Sequence, residues 1–151
     1  MFIEIKILLW IAASYLIGSI SPSYILGKML KGVDIRKKGT RNAGTLNALK
    51  VLGVGPGILT ALIDISKGAF TVVGAILLGL PEIFVYVSGI IAIIGHKYPF
   101  YMQFRGGIGV ATLIGTLAVV AYYHAELYYA RWFIAIMIIA YIINKTYRTL
   151  K

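Results

Sequence analysis

The sequence has no cysteine, only two histidines, and five acidic residues against fifteen lysines and arginines. The absence of cysteine excludes disulfides, thiolate metal sites and thiol nucleophiles. The few histidines and acids are scattered along the chain, so we expect neither a metal site nor a cofactor. Acidic residues are also too few to neutralise the cations, which leaves a formal net charge of +10.

What the sequence has in abundance is apolar residues. They make up 60% of the chain, and its mean hydropathy is +0.87. Soluble domains are usually about 45–50% apolar. The composition therefore predicts an integral membrane protein. Its cations lie between apolar runs, which suits anionic lipid headgroups and phosphorylated substrates and argues against a nucleic-acid partner.

The apolar runs predict an all-α polytopic membrane bundle of about five spans in one domain, residues 1–151. A span needs about 20 apolar residues. The first run shows no small-residue cleavage site of a signal peptide, so we interpret it as a span. Val51–Leu80 exceeds one span, which indicates a tilted helix or a short interfacial helix before a crossing one. The predicted spans lie at Ile7–Gly27, Val51–Leu80, Ile83–Gly95, Val110–Tyr123 and Trp132–Ile143.

Loop charge predicts the orientation of these spans. Seven of the fifteen lysines and arginines lie in the segment Lys28–Lys50, which we call the basic loop. Short basic loops stay on the cytoplasmic side of a membrane. Five spans then put the N-terminus outside and the C-terminus inside, in the plasma (inner) membrane. The number of copies in an assembly is not determined by the sequence.

The basic loop also carries residues suited to anion binding. Glycines allow tight turns, and hydroxyl and amide groups offer donors to an anion. We take Gly39, Asn42, Gly44, Thr45 and Asn47 as candidates for a phosphate site. A solvated loop that serves only as a topology signal is the alternative interpretation.

A second polar cluster, Asp64 to Gly68, interrupts the second apolar run. Asp64 and Lys67 are three residues apart and so share one face of a helix. Charges inside an apolar run are costly and indicate function by default. A structural ion pair is the alternative for this pair.

A third cluster runs from Gly95 to Thr112. His96 is a candidate general base or a candidate hydrogen-bond donor to a phosphate. The alternative is an interfacial histidine with a structural role. Gly106, Gly107 and Gly109 precede a predicted helix whose first N–H groups can bind an anion. Glycines at these positions also suit close helix packing.

Four segments in this order resemble the acyl-phosphate:glycerol-3-phosphate acyltransferases, which are small bacterial membrane enzymes. They are GSI at Gly18–Ile20, DIRKKGTRNAGTLNALKVLG at Asp34–Gly53, DISKG at Asp64–Gly68 and GHKYPFYMQFRGGIGVAT at Gly95–Thr112. The resemblance implies a bundle of seven helices with its site open to the cytoplasm. The present chain is shorter, and its five predicted spans preserve the parity of the termini.

The resemblance also implies substrates and roles. Acyl phosphate would bind near Thr40, Asn42, Asn47 and Lys50, and glycerol 3-phosphate near Asp64, Lys67 and Gly68. His96 and the glycines of the third cluster would order the loop, and Asn144 would match a family asparagine.

Several positions differ from the family pattern. Arg41 replaces a glycine, Lys50 an arginine, Ile108 a lysine and Tyr141 a histidine. Ile108, Tyr141 and the shorter chain motivate a second hypothesis. It is a catalytically impaired relative that binds phospholipid or a phosphorylated metabolite, or that associates with another membrane enzyme. A transporter or channel subunit is a third, although no duplicated halves are apparent.

Overall fold

A computed structural model describes residues 2–126, 128 and 129. Within this part the chain is helical and contains no strand. The α-helices are α1 (Phe2–Ser19), α2 (Pro22–Lys31), α3 (Thr45–Leu52), α4 (Val54–Leu77), α5 (Glu82–Lys97) and α6 (Val110–Glu126). Two 3₁₀ turns, Ile35–Lys37 and Phe100–Met102, lie in the connections before α3 and α6.

Three segments are long and apolar enough to cross a membrane, namely Phe2–Lys31, Val54–Leu77 and Glu82–Met102. The shorter apolar helix α6 follows them. Large apolar side chains such as Leu8, Leu62 and Ile90 face outward along these helices. An apolar outer surface is what a helix needs where its surroundings are lipid.

The expected first span, Ile7–Gly27, is not one continuous helix. α1 ends at Ser19 and α2 begins at Pro22, because proline lacks the N–H that would continue the ladder. The long run Val51–Leu80 agrees in part with the expectation of a short helix before a crossing one. Gly53, at φ +107°, separates the short α3 from the 24-residue α4. The span predicted at Trp132–Ile143 lies outside the described residues.

The break between α1 and α2 is closed by side chains that come from elsewhere in the chain. The Tyr101 hydroxyl donates to the Ser19 carbonyl at 2.9 Å and accepts from the Ser21 N–H at 3.0 Å. The Ile20 carbonyl accepts from Lys67 Nζ at 2.7 Å. Backbone groups that lose their helical partners are therefore satisfied by two polar side chains.

Glycines allow α1 and α6 to pack closely against other helices. A Cβ added at Gly18 would lie 2.1 Å from the Ala92 carbonyl oxygen of α5. A Cβ added at Gly68 would lie 2.1 Å from the Thr112 carbonyl oxygen of α6. Small residues allow helix backbones to approach this closely, which is a main source of packing energy in membranes.

By its internal packing the chain divides after Val119 into two units, Met1–Val119 and Val120–Lys151. Every contact of the candidate site lies within the first unit. The single domain expected from the sequence stays a prediction.

We predict that Gly18→Ala destabilises the protein by about 1–3 kcal/mol, because overpacking forces two backbones apart. The matched control is Gly55→Ala, since a Cβ at Gly55 meets no atom within 4 Å. Thermal unfolding in detergent measures both. Equal melting temperatures for the two variants would contradict the assigned contact between α1 and α5.

Candidate active site

Asn47 holds the basic loop together from its centre. Its side-chain nitrogen donates to the carbonyls of Ile35, Lys38 and Asn42 at 2.8–3.2 Å. Its side-chain oxygen accepts from the Thr40 N–H at 2.8 Å. The carboxamide is fully buried and occupied by backbone groups. Asn47 therefore positions the loop, which differs from the direct phosphate contact expected from the sequence.

Arg36 ties the basic loop to the third cluster. Its guanidinium forms a two-pronged contact with Asp34, with Nε–Oδ1 at 3.0 Å and Nη2–Oδ2 at 2.8 Å. Its Nη1 donates to the carbonyls of Met102 and Arg105, and its charge lies 5.0 Å from the centre of the Tyr24 ring. The pKa of the Asp34 carboxyl is lowered, and the main cause is the side-chain hydrogen bond from Arg36.

Lys67 is the buried centre of the site. Its ammonium lies 2.7 Å from Asp64 Oδ1, 2.7 Å from His96 Nδ1 and 2.7 Å from the Ile20 carbonyl oxygen. The Ile20 carbonyl and His96 Nδ1 are its hydrogen-bond partners. The Asp64 contact is an ion pair, and neither Asp64 oxygen has a hydrogen-bond partner among the described residues. A charged Lys67 can only donate, so His96 Nδ1 accepts when it bonds to that ammonium. The same nitrogen lies 3.3 Å from Asp64 Oδ1.

The third cluster meets the basic loop at His96. The N–H groups of Gly106 and Gly107 donate to the carbonyls of Lys97 and His96. A Cβ at Gly107 would lie 2.0 Å from His96 Nε2 and 2.6 Å from the Ala43 carbonyl oxygen. Glycine at this position is therefore needed for the loop, the imidazole and the third cluster to come together.

A cavity of about 360 Å³, which we call the apolar cavity, opens beside these groups. Its apolar walls come from α3, α4, α6 and the segment before α6. The lining residues are Asn42, Gly44, Thr45, Leu46, Ala61, Asp64, Ile65, His96, Ile108, Gly109, Val110, Ala111 and Ile114. Asp64 is only 1% exposed, and its Oδ2 has no hydrogen-bond partner among the described residues. An unpaired buried oxygen at the edge of a cavity is suited to a ligand that donates a hydrogen bond.

The structure brings some predicted site residues together and leaves others apart. Six of them line the apolar cavity: Asn42, Gly44, Thr45, Asp64, His96 and Gly109. Lys67 and Gly107 contact His96 but do not line the apolar cavity, and Gly68 packs on α6. Gly39, Thr40 and Lys50 are exposed and do not line it, and Gly106 lines a separate cavity. Asn144 and Tyr141 lie outside the described residues.

Two polar residues of the site were not singled out from the sequence. Tyr101 closes the helix break, and Arg36 joins two clusters. No local signal identifies these roles, because the carbonyls that the two side chains reach there are more than sixty residues away in sequence. No group of three His, Asp or Glu near enough to share a metal occurs in the described residues.

We predict that Lys67→Met destabilises the protein by about 3–5 kcal/mol, because it leaves the Asp64 carboxylate buried without its partner. Asp64→Asn combined with Lys67→Met should recover part of the loss. Thermal unfolding of both single variants and the double variant measures the coupling. Lys38→Met, at an exposed cation of the basic loop, is the control. Additive losses would contradict a direct coupling between the two side chains.

Comparison with known proteins places this geometry in a family. The family described as "Glycerol-3-phosphate acyltransferase" matches residues 8–148. A glycerol-3-phosphate acyltransferase of Halalkalibacterium halodurans is 52% identical over 113 residues, which are 73% of this chain and 54% of the relative. One of Shouchella clausii is 48% identical over 106 residues, 69% of this chain and 52% of the relative. The chain thus spans about half the length of the curated relatives it matches.

Solved structures agree with this comparison. The crystal structure of PlsY (YgiH), an integral membrane glycerol 3-phosphate acyltransferase, in its glycerol 3-phosphate form is 32% identical with a TM-score of 0.72. The match covers 85% of this chain and 64% of that one. The lysophosphatidic acid form has a TM-score of 0.68 and is 31% identical, and the match covers 84% of this chain and 63% of that one.

The structural match confirms the all-α membrane bundle predicted from the sequence. The family match covers all three polar clusters as well as the helices between them. The chain belongs to the glycerol-3-phosphate acyltransferase family.

Proposed function

We propose that this chain transfers a fatty acyl group from acyl phosphate to a hydroxyl of glycerol 3-phosphate, giving lysophosphatidic acid. The observation that carries the proposal is the buried Asp64 carboxylate at the polar edge of an otherwise apolar cavity, beside His96. Its Oδ2 has no hydrogen-bond partner among the described residues. Family membership supports the reaction class. The acceptor agrees with the names of the relatives, which are glycerol-3-phosphate acyltransferases. Acyl phosphate suits a cavity with one apolar side and one polar side.

The apolar side of the cavity suits an acyl chain. Leu46, Ile65, Val110 and Ile114 line it, and each buries apolar surface against a hydrocarbon ligand. Burial of apolar surface contributes about 25 cal/mol per Å². A fatty acyl donor is therefore expected to bind with its chain between α3, α4 and α6.

The polar side suits a phosphate and a hydroxyl. Gly44 and Thr45, at the start of α3, lie on the cavity wall, and the first N–H groups of a helix have no helical acceptor. They can bind the donor phosphate, as helix N-termini commonly do. The Asp64 carboxylate only accepts hydrogen bonds when charged, so it suits the glycerol hydroxyls rather than a phosphate.

The proposed step forms one bond and breaks one. The acceptor hydroxyl oxygen bonds to the acyl carbonyl carbon, the bond from that carbon to the phosphate oxygen breaks, and inorganic phosphate leaves. The hydroxyl proton is taken up by the donor phosphate. The chain's own contribution is orientation of the two substrates and hydrogen bonding to the charge that develops, with Asn42 and His96 as donors.

We propose a multi-pass location in the plasma (inner) membrane, with the site facing the cytoplasm. The support is the charge of the basic loop and of Lys97 and Arg105 in the third cluster, which lie at the same end as the site. Cations of short loops favour the cytoplasmic side. With five spans, this orientation puts the N-terminus outside and the C-terminus inside. The site then faces the soluble phosphorylated substrates of the cytoplasm.

The test is acyl transfer by the purified full chain with palmitoyl phosphate and glycerol 3-phosphate. We expect lysophosphatidate above a heat-inactivated control. Asp64→Asn should lower the rate roughly 10- to 100-fold, since a hydrogen bond to a charged group contributes about 1.5–3 kcal/mol. Gly55→Ala should keep the rate, and melting temperatures separate lost activity from lost folding. No product from the folded wild type would refute the proposed reaction.

Ile108 favours a second candidate, a relative that binds these ligands without efficient turnover. It lines the apolar cavity and is 68% exposed, at the position of the family's lysine. In this case the protein binds glycerol 3-phosphate but forms little lysophosphatidate.

Ile108→Lys distinguishes the two candidates. A cation at the cavity can make charge-assisted hydrogen bonds to phosphate, so we expect turnover to rise about tenfold. Ile108→Met is the matched control, because it supplies a long side chain without charge. The same initial rate for the lysine and methionine variants would show that charge at this position does not limit the reaction.

A further inference from the structure

A second cavity of about 270 Å³, which we call the cationic cavity, lies between the basic loop and the third cluster. It is lined by Asp34, Arg36, Lys37, Arg41, Gln103, Arg105 and Gly106. It shares no lining residue with the apolar cavity, although neighbours in sequence line the two: Arg41 and Asn42 belong to different cavities. The two cavities are therefore lined by different residues.

The charge of the cationic cavity is largely uncompensated. Its one carboxylate, Asp34, is already paired with Arg36. Lys37, Arg41 and Arg105 are exposed at their side chains and make no ion pair within the described residues. Three free cations around one concave space attract a multiply charged anion and suit the oxygens of a phosphate.

The backbone around this cavity is held in an unfavourable conformation. Among the described residues, the non-glycine residues with positive φ are Arg41 (58°), Gln103 (55°) and Phe104 (57°). The first two line the cavity, and the third follows directly. Side chains other than glycine rarely adopt this conformation, and such residues concentrate at ligand sites. A loop serving only as a topology signal has no need of an arginine at such a position.

The two strained segments are more than sixty residues apart in sequence and are joined by Arg36. Its Nη1 reaches the carbonyls of Met102 and Arg105 while its other nitrogens hold Asp34. The cavity is therefore assembled by a specific tertiary contact, and its free cations are brought together from both sides.

We propose that the cationic cavity binds a phosphate group at a site distinct from the apolar cavity. The ligand is either the headgroup of an anionic phospholipid or a soluble phosphate, since both present the same oxygens. Arg41 and Arg105 bind it from opposite segments, and Lys37 adds charge. The proposal concerns binding alone and does not depend on acyl transfer.

The test uses the full chain in phosphatidylcholine nanodiscs. One arm titrates inorganic phosphate and follows binding by calorimetry. The other adds phosphatidylglycerol to the nanodiscs and measures its retention on the protein by native mass spectrometry. Binding of inorganic phosphate would indicate a soluble ligand, and selective retention of phosphatidylglycerol without phosphate binding would indicate a lipid headgroup.

Three variants test the location of the site. Arg41→Gly removes a cation and relieves the strained conformation, so the variant should fold at least as well as the wild type. Arg105→Gln removes the cation of the opposite segment. Each should weaken binding about tenfold or more, because a charge-assisted contact is lost. Lys38→Gln, which removes an exposed cation of the same loop outside the cavity, should change binding less than about twofold.

Three outcomes would overturn the proposal. The first is that neither inorganic phosphate nor phosphatidylglycerol binds to the folded wild type. The second is that all three variants weaken binding equally, because this would indicate a diffuse attraction to the positive surface. Unchanged binding in the folded Arg41→Gly and Arg105→Gln variants would likewise assign the phosphate to another site.

Discussion

The site depends on one buried ammonium. Lys67 contacts a carboxylate, an imidazole and a backbone carbonyl from three different helices or connections, and each contact is 2.7 Å long. Buried charges are stable only when they are paired and hydrogen-bonded. The ammonium therefore balances the charge of Asp64, orients His96 and donates to the Ile20 carbonyl. One set of contacts both compensates the buried charges and connects the helices.

Around this centre, two polar segments are held in place by side chains that contact no substrate in the proposed mechanism. Asn47 holds the basic loop from within, and Arg36 connects it to the third cluster. Glycine at 107 then lets the loop and the imidazole approach each other. Positioned side chains of this kind are what a preorganised site requires, because groups that bind a phosphate must be in place before it arrives.

Much of the fold could be predicted from the sequence, since apolar runs, proline and glycine act locally. The pairing of Asp64 with Lys67 followed from their spacing on a helix. The pairing of Lys67 with His96 did not, because it requires α4 and α5 to pack side by side. Asn42 and Asn47 look alike in sequence, yet one lines a cavity and the other is enclosed by carbonyls. Composition and spacing do not carry that difference, which depends on how the loop folds.

The interruption between the first two helices has a consequence for assembly. Its backbone groups at Ser19 and Ser21 rely on a tyrosine hydroxyl that is synthesised some eighty residues later. Exposed peptide groups are costly in hydrocarbon. During insertion this break must therefore stay near water or headgroups until Tyr101 is made. The segment Phe2–Lys31 reaches its final depth only when the polar connection before α6 has docked.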